Sequence, residues 1–461
     1  MPSRRVHNGR EGPAARMARS GCRYRRVSSS RRKPVTTLVL SNHVPAIEQA
    51  LIAAGQPVVV AMTKKHARLR SPSGRFGYPV VTVSDWDAFG ELHRIAQDLR
   101  GTVTHVATRW EGAIPAAGFV RDLLDLPGQS FSESIGYVDK AVMKQRLRHG
   151  GVPVARHRVV HTARDVIAAA YDVGGWPVVV KPLRGFASIN THVIGSAKEL
   201  ADFATDGTFD SAVPSSAFYE DDPAFLPLAK QRAFLVEEFV DIEQEFHCDG
   251  LWIDGRPIYQ IPGVYHAPPL VGMGGMLGSV LLPRGDADGQ FVVDLAIRAA
   301  KALGIGTGFT HAEVYRSKSG RWLLGEIAAR PGGGGIQPAI KHAFGVDVMR
   351  LQGQVARGAD VHIEPEHREG VVGWAGPAVP PGRIVEIAAL DKIRGGRGVI
   401  DATVAVKVGQ LGGRTGSGLW GGLAGYVFLR GESVAEVMAM MTDATDRYEI
   451  RVERPVPVGM P

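Results

Sequence analysis

The chain is short of the residues that staple small folds together. Its 461 residues include only two cysteines, Cys22 and Cys248, with no CxxC pair and no Cys/His cluster of zinc spacing. A disulfide framework and a structural zinc site are therefore not expected, and a reducing, cytoplasmic setting is the default. No uninterrupted apolar run reaches the roughly 18 residues of a membrane span; the run Leu51–Met62 is broken at Gln56-Pro57. The first β-α turn reads Ser41-Asn42-His43-Val44-Pro45 and lacks GxGxxG, which disfavours a dinucleotide site there. Acids are nearly missing from residues 1–34, where eleven basic groups face Glu11 alone, a charge of +10. Because the whole chain is +8, the remaining 427 residues sum to −2. The basicity belongs to a tail and not to a folded surface, so no nucleic-acid partner is expected. That tail has no apolar segment of about 7–15 residues after its charges, so no secretory signal is expected, and it reads as a disordered extension or as residues upstream of an internal start at Met17.

What remains is ordinary globular composition, 44% hydrophobic and 22% charged, enough for two to four domains at about 100–200 residues each. After Pro34 the pattern is β-α-β-α-β: strand Thr36–Leu40, helix Pro45–Ala54, strand Pro57–Met62, helix Asp85–Leu99, strand Val103–Thr108, helix Gly112–Leu124. This implies a small parallel sheet covered by helices, over 35–133. A second unit, 134–228, has a helix Val138–His149 and strands Val178–Lys181 and His192–Ile194, with a loop Thr205–Pro227. A third, 229–363, has strands Phe234–Val240 and Glu245–Cys248, an irregular stretch Pro262–Gly278, helix Phe291–Leu303 and the strand pair Thr310–Arg316 and Arg321–Ala328. The last unit, 364–461, ends in strand Gly425–Leu429, helix Val434–Asp446 with a Ser433/Glu436 capping box, and strand Glu449–Val452.

Charged side chains recur at strand ends and beside glycines. With a four-residue turn, Arg316 faces Arg321, and Glu313 and Glu326 leave one sheet face with Cα atoms about 7–8 Å apart. Two carboxylates on one face raise each other's pKa unless a cation neutralises them, and Mg²⁺ takes such a pair together with phosphates. Lys181 closes an apolar strand before the Gly185–Ser188 turn, where an ammonium and backbone N–H groups suit a phosphate; Lys140 offers a second cation near a helix start. Arg330 heads Pro331-Gly332-Gly333-Gly334-Gly335 before the helical pattern Ile336–Phe344. Exposed amides at Gly332, Gly333 and Gly334 and the guanidinium fork suit a phosphoryl group or an oxyanion. In the extended segment Glu237-Glu238-Phe239-Val240 the backbone can bond an adenine edge, and Glu245 lies within reach of ribose hydroxyls. His311, inside an apolar strand, reads as structural.

Taken together and in order, these segments resemble the ATP-grasp superfamily over Ser134–Asp347, most closely its carboxylate–amine (L-amino acid) ligase branch. The resemblance implies an α+β ATP-grasp fold, preceded by a small α/β parallel-sheet domain and followed by a small α/β C-terminal domain. It also implies ATP held between two lobes. Lys140, Lys181 and the Ser188 turn then match the phosphate contacts, Glu237, Glu238, Phe239 and Val240 the adenine hinge, and Glu245 the ribose contact. Glu313 and Glu326 match the Mg²⁺ (or Mn²⁺) ligands, Arg330 the catalytic arginine, and Gly332–Gly334 the phosphate loop. Ala328 departs from the family's Asn, which bears on a second metal. The implied partners are a small-molecule carboxylate and an amine, with no membrane and a homodimer left open. Two alternatives are a bicarbonate-using carboxylase, disfavoured by Pro331–Gly335, and a nucleotide-binding regulator without turnover, disfavoured by Arg330. The substrate pocket has no readable code; His266, Met273 and Met276 suit lining or packing equally.

Overall fold

Four apolar segments of the first hundred residues past the tail pair as parallel strands, as their unbroken Val/Leu/Ala content requires. In the computed structural model, which describes residues 35–42, 44–211, 225–270, 275–363, 366, 368–412 and 422–453, these are β1 (Thr37–Leu40), β2 (Val58–Thr63), β3 (Val80–Val83) and β4 (His105–Thr108). Their order is β3-β2-β1-β4, so the chain moves outward to β3 and then jumps across β1. This leaves a topological switch point between the carboxyl ends of β1 and β4, where open α/β sheets take ligands. The sequence pattern missed β3 and the helix Lys64–Arg70. That helix is too basic to show an apolar stripe, and Thr63 starts it by accepting the His66 amide at 3.2 Å.

The next sheet is antiparallel, with β5 (His157–Val160), β6 (Val178–Pro182), β7 (His192–Ile194) and β8 (Phe234–Glu238) in the order β5-β8-β6-β7. Val178 and Val180 enter its core while Val179 and Lys181 take the other face. Val179 pairs with Glu237, so Glu237 shares the face of Lys181. The sequence reading contained neither β5 nor the helix Asp165–Val173 beneath it.

An eight-stranded sheet carries the rest. Five strands come first: β9 (Ile242–Ile253), β10 (Arg256–Tyr265), β11 (Met276–Leu281), β12 (Gly308–Ser317) and β13 (Trp322–Ala328). The C-terminal region adds β14 (Val371–Pro377), β16 (Val399–Val404) and β18 (Gly425–Gly431), giving the order β13-β12-β9-β10-β11-β14-β18-β16. A small separate sheet joins β15 (Gly382–Glu386), β17 (Leu411–Gly412) and β19 (Arg451–Glu453). The expected irregular stretch Pro262–Gly278 is strand only at its two ends, since β10 runs to Tyr265 and β11 begins at Met276, and the described residues between them are irregular. His266 is exposed, and Met276 packs partly buried against the core and accepts a bond from Thr445. Met273, the tail 1–34, most of the loop expected at 205–227, and His43 lie outside the described residues.

Strand alternation sorts the large sheet into two faces. Phe246, Cys248, Ala312 and Val314 enter one core with the helix Ala287–Ala302. Glu245, His247 and Asp249 on β9, with His311, Glu313 and Tyr315 on β12, take the opposite face, which becomes apolar further along at Leu251 and Phe309. The capping of Val434–Asp446 differs slightly from expectation: Ser433 accepts the Glu436 amide, but Glu436 takes the Glu432 amide. Among the described residues no helix is long and apolar enough to cross a membrane.

Candidate active site

Glu313 and Glu326 do leave the same face, but by a different register from the one expected. Arg316 pairs with Trp322, not Arg321, and Val314 with Leu324. Continued regularly, that register would set Glu313 opposite Gly325 and turn Glu326 away. A β-bulge at Gly325 inserts one residue, so Glu313 pairs directly with Glu326. The parity change is visible in the core, where both Leu324 and Ile327 are fully buried. Only glycine fits the bulge, since a Cβ there would lie 2.3 Å from the Tyr315 ring. Gly325→Ala should cost about 1–3 kcal/mol of stability and slow ATP turnover about 10- to 100-fold by displacing Glu326. An unchanged melting temperature and rate would show that the bulge tolerates a side chain.

The cations reach this face from two elements. Asp139 caps the helix Lys140–His149, accepting the amides of Ala141 and Val142 at 3.0 Å each. This fixes Lys140 and Lys144 one turn apart on the same side. Lys140 bonds the Gly185 carbonyl at 2.5 Å and reaches Glu326 at 3.3 Å, linking the turn after β6 to the bulged strand. Lys144, which the sequence reading did not assign to the site, bonds the Gly325 carbonyl at 3.2 Å and pairs with Glu237 at 3.0 Å. Lys181 pairs with the other oxygen of Glu237 at 2.9 Å.

Charge balance follows from these contacts. Burial alone would raise Glu237, but Lys144 and Lys181 hold it down to about 2. Burial lowers Lys144, and Glu237 only partly offsets this. Burial would also lower Lys181, yet Glu237 and Glu326 hold it above the usual lysine value. Burial and then Glu326 raise Glu313, whereas in Glu326 the opposing effect of Lys140 and Lys181 outweighs burial and lowers it. Burial, with Glu313 beside it, pushes Glu245 well up. For Glu237 the folded value lies below the unfolded 4.5, so its stabilisation is full above pH 4.5 and is lost as pH falls through about 2. Glu237→Gln should remove about 3 kcal/mol at neutral pH and flatten acid unfolding in that window. Parallel acid-unfolding curves for the two proteins would contradict the pairing.

The hinge segment is divided by the structure. The Glu237 carboxylate is spent between two lysines, and the Glu238 carboxylate is turned to Arg156 and Arg321, each at 2.8 Å. Phe239 is exposed and Val240 half-buried just past β8, which leaves the backbone of this segment as its contribution to the site. Ser188 lies in the turn between β6 and β7, with φ +55°, and Ala187 and Asn190 beside it are also left-handed.

Arg330 follows β13 and its charge acts on both carboxylates. Its Nε and Nη2 both meet Glu111 Oε2 at 2.7 Å; Glu111 follows β4 at the switch point. Burial would lower Arg330, but Glu111, Glu326 and Glu313 raise it. The glycines beyond it are not a loose linker. The Gly332 amide donates to Asp249 at 2.8 Å, and a Cβ on Gly334 or Gly335 would lie 2.5 Å from the Trp374 ring. Asp249 also accepts from His247 at 2.8 Å and His311 at 3.2 Å. Trp374 donates to Ser279 at 2.8 Å, and Ser279 meets His247 Nε2 at 2.9 Å. An indole only donates, so the Ser279 proton is free for His247 Nε2 and the Nδ1 proton faces Asp249. Burial lowers His247, in keeping with a neutral ring. Burial would lower His311 too, but Asp249 raises it.

His247, Asp249 and His311 also bring ligand atoms within 4.8 Å of one another, a His/Asp cluster that sequence spacing did not show. The carboxylate already serves two imidazoles and an amide at hydrogen-bond lengths, so it braces the glycine segment. Glu313 and Glu326 suit a divalent cation better: two half-buried carboxylates face each other, and a cation relieves the repulsion that raises Glu313. Ala328 pairs with His311 and offers no ligand.

Comparison with known proteins finds ligases among the relatives of this chain. Residues 175–339 match the ATP-grasp domain, and the comparisons make the chain a ligase that carries this domain. It is 28% identical over 312 residues to an L-arginine-specific L-amino acid ligase of Bacillus subtilis, spanning 68% of this chain and 71% of the relative. A D-alanine–D-alanine ligase of Pseudomonas fluorescens is 26% identical over 51% of this chain and 68% of its own. Among solved structures, an L-amino acid ligase from Bacillus licheniformis superposes with a TM-score of 0.66 at 19% identity, over 92% of this chain and all of that one.

Proposed function

We propose that the chain is an ATP-dependent carboxylate–amine ligase that activates a carboxylate as an acyl phosphate and uses an amino acid as substrate. The observation that carries this reading is the facing pair Glu313 and Glu326 set among Lys140, Lys181 and Arg330. The relatives' activities support the class of reaction, and that of the Bacillus subtilis relative makes L-arginine the first amino acid to test.

On this reading ATP lies between residues 134–228 and 229–363. Its adenine meets the backbone of Glu237–Val240, its ribose Glu245, and its phosphates Lys140, Lys181 and the turn at Ser188. Magnesium held by Glu313 and Glu326 would supply neutralising charge at the phosphate oxygens. A carboxylate oxygen of the acid substrate attacks the γ-phosphorus, the bond to the bridging oxygen breaks, and ADP leaves. The amine nitrogen then attacks the acyl carbon and gives up a proton, and the carbon–oxygen bond to phosphate breaks to leave an amide. Lys140 and Lys181 hold the phosphoryl oxygens, and the charge of Arg330, which Glu111 holds in place, neutralises the tetrahedral species; the Gly332 amide, expected at the anion, is instead taken by Asp249, which leaves Gly333 and Gly334 to face it.

The test is ADP release from ATP and Mg²⁺ with single amino acids and pairs of them, L-arginine first. Release that needs two components supports ligation. Dependence on bicarbonate would replace it with a carboxylase, and nucleotide binding without any release would leave a regulatory protein.

A further inference from the structure

We infer that Arg109 is the receptor for a carboxylate of the amine substrate, one that the reaction leaves free. The inference deepens the ligase reading and rests on it for the identity of the substrate.

Arg109 directly follows β4 and so stands at the switch point between β1 and β4. Its loop is rigid: Thr108 donates to the Leu40 carbonyl at 2.8 Å and accepts the Trp110 amide at 3.0 Å. Two residues further on, Glu111 holds Arg330. The charges that act on Arg109 are Arg330 and Glu48, and both are already paired, Arg330 with Glu111 and Glu48 with Arg70 at 2.7 Å. Arg109 itself is half-buried and makes no hydrogen bond or ion pair among the described residues. The neighbouring arginines behave otherwise. Arg121 bonds the carbonyls of Val106 and Gln129, and Arg70 bonds Glu48, Tyr78 and Ser41.

A guanidinium has five donors and no acceptor, so leaving it unpaired out of water is costly. Burial and the like charge of Arg330 both disfavour its ionised form, and an anion beside it reverses both. The anion is a carboxylate rather than a nucleotide phosphate by position. Arg109 and Glu111, the partner of Arg330, stand on one loop after β4, whereas the lysines proposed for phosphate come from the helix Lys140–His149 and from β6. The carboxylate that reacts belongs beside those lysines, so the one at Arg109 belongs to the other substrate. The planar fork matches a carboxylate bidentately.

The experiment compares L-amino acids with their α-carboxamides in the full-length wild type, Arg109→Met and Arg109→Lys. It uses calorimetric binding of each amino acid and amide without ATP, and ADP release with Mg²⁺ and the active pair. The wild type should favour carboxylate over amide about 10- to 100-fold. Arg109→Met should bring that ratio near one by raising KM for the amine substrate, leaving KM for ATP within about twofold, and Arg109→Lys should recover part of it. A ratio unchanged in Arg109→Met, no preference in the wild type, or a rise confined to KM for ATP would overturn the assignment. Carboxylate-selective binding that needs Arg109 but comes without ADP release would uphold Arg109 and bring down the ligase reading instead.

Discussion

Replacing Glu326 with Gln should lower ATP turnover by about 10²- to 10⁴-fold, several kcal/mol of transition-state stabilisation, while the chain stays folded. Gln has nearly the shape of Glu, so the bulge and the Leu324 and Ile327 core beneath it are unchanged. What changes is charge. Glu326 sits 3.3 Å from Lys140 and opposite Glu313, and its negative charge is one cause of the raised Glu313 carboxyl. In the variant Glu313 should therefore ionise at lower pH, which NMR titration of the side chain can follow. Mg²⁺-dependent thermal stabilisation should shrink at the same time. Wild-type turnover with unchanged Mg²⁺ response would remove Glu326 from the metal site.

Arg330→Ala should reduce kcat about 10²- to 10³-fold with little change in ADP affinity, because its charge is needed where charge develops and not where the nucleotide rests. The variant has a second consequence peculiar to this structure. Glu111 is buried to 5% exposure and Arg330 is its partner, so removing the guanidinium leaves a buried carboxylate alone at a cost of about 3–5 kcal/mol. The double variant Glu111→Gln/Arg330→Ala should regain much of that stability and none of the rate. Equal losses in rate and in ADP affinity would make Arg330 an ordinary binding residue.

The hairpin shows how much of the site was legible beforehand and how much was not. Sequence placed both carboxylates on one face, which is where they are, but through a regular four-residue turn. The real register is shifted by one, and a bulge shifts it by one more, which restores the shared face; the only local trace of that bulge is Gly325, one glycine among 57. Lys144 was readable in principle, being four residues after Lys140 on a helix whose Asp139 cap was evident. Asp249 was also readable, lying two residues past His247 and four past Glu245 on a strand whose even positions are apolar. Nothing local connects Asp249 to Gly332, 83 residues on, or Glu111 to Arg330, 219 residues on.

Residue order by itself determined which elements form and which chemistry they carry: apolar alternation sets strand faces, caps set helix starts, and the ordered charged segments resemble those of the ATP-grasp domain that residues 175–339 match. Those are short-range properties, governed by periodicity and by contacts within a turn or two. Tertiary structure alone decided how charges are shared. It made Glu237 a bridge between two lysines, turned Glu238 to two arginines, bound the glycines to Trp374 and Asp249, and left Arg109 without a partner among the described residues. Those outcomes depend on which distant strands become neighbours, because a charge out of water is governed by whatever lies within a few ångströms of it, however far away in the chain.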